Sequence, residues 1–140
     1  WGVLPGQQLV DQLRQRADGE ELLGLLSTTM VPFHFDGDTD VWYPLVEFKI
    51  DNHIQQLRYY HYAISKGLNR ALSLSLLSDE QTQKVKRLID VVEATANQIG
   101  LKLTANQNSL LIVNNEICLH NRFEQSVTAN PRIANLLFVQ

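Results

Sequence analysis

"SLLIVNNEICLHNRFEQS" (residues 109–126) begins apolar and ends in histidine and arginine. The run from Leu110 to Val113 has the composition of a buried strand. A core strand normally stops in a turn, but this one continues into His120 and Arg122. A rigid strand end fixes the direction of the side chain it carries, so the strand reads as a scaffold and His120 as the group it presents.

Working outward, the rest of the chain reads as an α+β domain. Residues 5 to 27 form a helical stretch in two pieces, with Pro5 suited to a first turn and Leu9, Val10 and Leu13 on one stripe. Asp18 and Glu21 have the spacing of a capping box ahead of Leu22, Leu23, Leu25 and Leu26. The acidic "DGDTD" (36–40) is a turn or solvated loop. In "YPLVEFKI", Val46, Phe48 and Ile50 alternate with Glu47 and Lys49, the pattern of a half-buried strand. "DNH" (51–53) turns, and "IQQLRYYHY" (54–62) returns as a second strand of a hairpin. Ser78 and Gln81 cap the clearest helix, in which Val85, Leu88, Val92, Ala96 and Ile99 recur at helical spacing and Gly100 stops it. "LKLTA", a turn at "NQN", the run 109–113 and a last strand "IANLLFV" (133–139) complete an antiparallel sheet.

Bulk properties narrow the function. The 140 residues, 44% hydrophobic, fit a single domain spanning 1–140. A chain of this length buries roughly two thirds of its unfolded surface. Lys+Arg 12 against Asp+Glu 15, interspersed, leave no basic stripe for phosphates, so no nucleic-acid partner is expected. No apolar run approaches the ~20 residues of a membrane helix, so no membrane partner is expected, and no signal peptide is visible. The lone Cys118 permits no internal disulfide, which points to the cytoplasm, and it reads as a small buried hydrophobe. The chain starts at Trp1 and its one methionine is Met30, as expected of a processed, trimmed or partial chain.

Four histidines are candidates for chemistry. His53 reads as a solvated turn residue, and His61 as one of a set of edge aromatics with Tyr59, Tyr60 and Tyr62. His120 is set apart by Arg132, twelve positions on and just ahead of the last apolar strand. A guanidinium carried into a core needs a carboxylate or a bound anion, and its planar fork matches a carboxylate. The alternative is an arginine that faces solvent.

These residues resemble a known signature. "NSLLIVNNEICLHNRFEQS…NPRIANLLFV" is similar to the C-terminal segment of non-haem iron, 2-oxoglutarate-dependent oxygenases of the clavaminate synthase and taurine dioxygenase group. On that resemblance Asn115 takes the motif asparagine, His120 the metal histidine, Arg122 the arginine after it, and Arg132 the arginine that binds 2-oxoglutarate. "LLSTTMVPFHF" and "YPLVEFKIDNHIQQLRYY" resemble, more loosely, the segments that precede the signature. The implied fold is a double-stranded β-helix, a jelly-roll barrel with flanking helices, incomplete in this chain. A missing N-terminal segment or a second chain would complete it. Asn121 replaces the usual glycine after the histidine, and the turn lacks Pro-Gly; neither position supplies a ligand.

The facial triad such enzymes use takes two histidines and one carboxylate, the first two ligands coming from H-x-D or H-x-E. "HFD" (His34 to Asp36) matches literally, but its flanks look like the stretch that follows the metal motif, so the true pair is expected upstream of this chain, with His34 and Asp36 as the alternative ligands. The resemblance implies Fe(II) and 2-oxoglutarate as cofactors, and oxidation of a C–H bond in a small polar substrate such as an amino acid or derivative. Tyr60 and Tyr62, on one face of the expected strand, are the expected substrate contacts. Two other classes stay open: an inactive relative of this fold that binds a ligand or protein, and an unrelated interaction domain. Side chains of His120 and Arg132 converging on one cavity would separate the first class from the last.

Overall fold

The computed structural model describes residues 2–37, 39–103 and 112–121. Its order is β1 (Gly2–Pro5), α1 (Gly6–Arg14), α2 (Gly19–Thr28), β2 (Val31–Phe35), β3 (Thr39–Tyr43), β4 (Val46–Phe48), β5 (Ile54–Leu57), α3 (His61–Ser73), α4 (Asp79–Ile99), β6 (Leu101–Lys102) and β7 (Cys118–Asn121). The strands make three small antiparallel sheets, β6-β1-β7, β2-β3 and β4-β5. The fold is α+β, and among the described residues no sheet closes on itself.

The helices bury the stripes their sequences carry. Leu9, Val10 and Leu13 of α1, Leu22, Leu23 and Leu26 of α2, and Val85, Leu88 and Val92 of α4 lie in one apolar cluster with Leu4, Leu45, Val46, Ile54 and Leu57. The capping box at the start of α4 forms: the Gln81 amide donates to Ser78 Oγ at 3.2 Å, and the Ser78 amide donates to Gln81 Oε1 at 2.8 Å. Ser78→Ala is expected to cost about 1 kcal/mol, a fall in Tm of roughly 3–5 °C in a melt followed by circular dichroism.

Four local expectations change. No capping box forms at Asp18, because Arg16 takes its carboxylate, with Nε to Oδ1 at 2.8 Å and Nη2 to Oδ2 at 3.1 Å. The strand expected to include Ile50 ends at Phe48, and Ile50 is fully exposed. There the chain turns early: the Lys49 amide donates to the His53 carbonyl at 2.8 Å, and Asn52 adopts φ 62°. The strand expected over 54–62 stops at Leu57, and His61 opens a helix instead. Ala63, Ile64, Gly67, Leu68 and Ala71 share the buried face of that helix, and their spacing of about one turn outweighs the β-formers ahead of them.

The fourth change concerns the opening stretch. Ile112 is exposed and no strand runs through 112–114; the strand begins later, at Cys118. Asn114 starts a turn in which its side-chain oxygen accepts from the Glu116 amide at 3.0 Å. The Glu116 carbonyl accepts from the Leu57 amide at 2.6 Å, and the Ile117 carbonyl from the Gly6 amide at 2.7 Å. The turn is thus tied to β5 and α1 before β7 starts. The "NQN" turn, Leu110, Leu111, Arg122, Arg132 and the strand expected over 133–139 lie outside the described residues.

Candidate functional site

His120 sits on β7, opposite Val3 of β1 in an antiparallel register that also pairs Leu119 with Leu4 and Cys118 with Pro5. Leu119 packs against the core while the His120 imidazole is exposed, as strand alternation requires. Cys118 is half-buried, and that burial pushes its thiol pKa up, which suits the small apolar role expected of it. Asn115 lies in the turn ahead of the strand and is exposed.

His34 and Asp36 do not act as a pair. The His34 ring donates from Nδ1 to Asp40 Oδ1 across the β2-β3 hairpin at 2.7 Å, while Asp36 lies 3.3 Å from Lys66 Nζ on α3. Among the described residues no three His, Cys, Asp or Glu side chains are grouped so as to hold a metal ion. His53 lies in its expected exposed turn, 3.3 Å from Asp51.

Asp40 ties the hairpin to α3, since Arg70 Nε also donates to it, at 2.7 Å. The His34 hydrogen bond, then the one from Arg70, hold its carboxyl below the usual carboxylate range. A carboxylate pKa lowered by folding contributes stability that is present above its unfolded value, about 3.9, and lost as pH falls through the lower folded value. Asp40→Asn is therefore expected to lower Tm at neutral pH by roughly 1–3 °C. The gap to the wild type begins to narrow near the unfolded value, about 3.9, and closes only below the lower folded value, where both carry a neutral side chain. A Tm series from pH 7 to pH 3 measures it.

Tyr60 and Tyr62 are brought together, though not by a strand. Tyr60 is the residue before α3 and Tyr62 lies in its first turn. Their ring centroids are 6.2 Å apart, and Tyr60 stacks at 6.4 Å on Phe35 of β2. Phe35 continues to Phe33 at 6.2 Å, and Phe33 to Tyr43 of β3 at 6.4 Å. Phe33 is buried, whereas Phe35, Tyr43, Tyr60 and Tyr62 keep between 40% and 55% of their surface in solvent, so the row is an open aromatic face. Cations flank it: the Arg58 guanidinium lies 4.7 Å from the Tyr43 ring centre and Lys66 Nζ 4.3 Å from that of Tyr62. Arg58 also pairs with Glu47 at 2.7 Å, and Lys66 with Asp36, so the flanking charges are neutralised within the chain.

Behind Tyr60, one oxygen of Glu93 on α4 accepts from the Tyr59 hydroxyl at 2.6 Å and from His61 Nδ1 at 2.8 Å. Burial first, and Glu93 second, push the Tyr59 hydroxyl pKa above its ordinary value. Phe35, Tyr43 and Glu93 were not anticipated as site residues. The Phe33–Phe35 alternation is a visible signal for the first of them; Glu93 carries none, because its partners lie 32 and 34 residues away.

The chain matches no family model, no curated protein and no solved structure. Among the described residues no helix is long and apolar enough to cross a membrane.

Proposed function

We propose that the chain is the C-terminal part of an Fe(II)/2-oxoglutarate-dependent oxygenase of the clavaminate synthase and taurine dioxygenase type, built on a jelly-roll barrel. The observation that carries this is the order Asn115, His120, Arg122, Arg132, with an apolar strand-like run on either side. The position of His120 on a strand is in keeping with the expected scaffold; its imidazole lies on the solvent side of β7, and Arg132 lies outside the described residues. His120 would be one iron ligand and Arg132 the clamp on the distal carboxylate of 2-oxoglutarate. Among the described residues no second histidine and carboxylate are grouped with His120, so in this reading they would come from other polypeptide. When bound, the iron and 2-oxoglutarate supply the oxidising chemistry.

The substrate in this reading is a small polar molecule, an amino acid or derivative, oxidised at a C–H bond in the cytoplasm. Tyr60 and Tyr62 would contact it, and the open aromatic face they share with Phe35 favours that role. A second reading, an inactive relative that binds a ligand or protein, is favoured by the same open face.

The deciding measurement is succinate formation from 2-oxoglutarate, with and without Fe(II), by the polypeptide as encoded in its complete reading frame. Iron-dependent succinate is the expected result. Its absence, together with no H-x-D or H-x-E motif ahead of residue 1 in that frame, would leave the binding module.

A further inference from the structure

We propose that Glu93 is the positioning residue of the aromatic face: its single carboxylate oxygen clasps Tyr59 and His61, the two neighbours of Tyr60, and so sets how Tyr60 and Tyr62 are presented.

The case rests on what else holds Tyr60. Residues 58–60 link β5 to α3 without belonging to either, and Tyr60 makes no side-chain cap on α3. The backbone fixes the ends of this link, through the Arg58 amide to the Leu45 carbonyl at 2.8 Å and the Ile64 amide to the Tyr60 carbonyl at 3.0 Å. Between those two bonds, the residues on either side of Tyr60 both reach Glu93. Glu93 follows Val92, which is buried in the core, on a helix of 21 residues, so the carboxylate is presented from a rigid element. The bond from Tyr59 has the short length of a hydroxyl donating to a charged acceptor. The His61 side chain is 66% exposed and that of Glu93 40%, so their pairing contributes little to global stability. Orientation is the effect left to it. Tyr62 follows because its ring rests against that of Tyr60. Any consequence for a ligand rests on the proposed role of these two tyrosines in substrate contact; the clasp itself does not.

The chain has four tyrosines, 43, 59, 60 and 62, so 3-fluorotyrosine labelling gives four fluorine resonances that single Tyr→Phe replacements assign. Glu93→Ala is expected to move the Tyr60 and Tyr62 signals and leave that of Tyr43, on β3, in place. Glu93→Gln keeps an accepting oxygen and is expected to return both signals most of the way. Tyr59→Phe, which removes one donor and leaves the fold's packing intact, is expected to move Tyr60 as well, and serves alone if Glu93→Ala does not fold. Unmoved Tyr60 and Tyr62 signals in a folded Glu93→Ala protein, or a Gln variant no closer to wild type than Ala, would overturn the clasp. Neither result touches the oxygenase reading, which depends on succinate formation alone.

Discussion

Gly67→Ala is expected to destabilise the protein by about 3 kcal/mol, a fall in Tm of roughly 10 °C. Two effects of the added methyl oppose each other. Within a helix, alanine is favoured over glycine by about 1 kcal/mol, because glycine loses more backbone freedom on folding. Against that, a Cβ at residue 67 would lie 2.4 Å from the Pro32 carbonyl oxygen, 2.6 Å from its carbon and 2.9 Å from the Phe33 nitrogen. All three are backbone atoms of β2, so no flexible side chain can yield; α3 must move off the strand. The clash wins. Gly24→Ala on α2 is the matched control, since nothing lies within 4 Å of its Cβ position, and the propensity gain alone is expected to raise stability by about 0.5–1 kcal/mol. Urea unfolding of the pair measures both. A Gly67→Ala protein as stable as wild type would mean that α3 does not rest on β2 at this distance, and the contact between Tyr60 and Phe35 would lose its basis.

That packing also explains why the sequence misled at α3. "RYYHY" is dense in strand formers and follows a true strand, so a strand running through to residue 62 satisfies every local criterion. What ends it is the face formed by Ala63, Ile64, Gly67, Leu68 and Ala71, whose small members let a helix approach the backbone of β2. The two tyrosine rings still meet, because two aromatics flanking a helix start can approach as readily as two on one strand face. The longer helices were legible for the opposite reason. In α4 the apolar period, the Ser78–Gln81 cap and the buried stripe all agree.

Long-range pairing left no local trace. β1 is four residues long, yet it pairs with residues 101–102 on one edge and 118–121 on the other. Nothing in "GVLP" itself predicts that, and Pro5 suggested a helical turn. The strand bearing His120 begins later than the apolar run for a related reason: Ile112 and Val113 look ready for burial, but the turn at Asn114–Ile117 is held by Leu57 and Gly6, partners far away in sequence. Alternation nonetheless determines the face once the strand exists, putting Leu119 inward and His120 outward.

The largest functional effects are expected at His120 and Arg132, and the two should fail differently. In the proposed site an imidazole is one of three protein ligands, so His120→Ala removes iron binding and with it Fe(II)-dependent turnover of 2-oxoglutarate. In that proposed site Arg132→Ala would leave the metal ligands untouched and remove a bidentate, charge-assisted pair of hydrogen bonds to the 2-oxoglutarate carboxylate. At 1.5–3 kcal/mol for each bond to a charged group, the Kd for 2-oxoglutarate rises by about 100-fold or more, while Fe(II) affinity stays near wild type. Arg132→Lys restores the charge without the planar fork and should recover only part of that loss. Calorimetric titration of Fe(II), and then of 2-oxoglutarate under anaerobic conditions, on the full-length polypeptide separates the two. Because His120 lies on the exposed side of β7, its removal should leave Tm within a few degrees of wild type, so lost binding cannot be blamed on unfolding. If both variants bound Fe(II) and 2-oxoglutarate as the wild type does, the spacing of these two residues would have no chemical meaning.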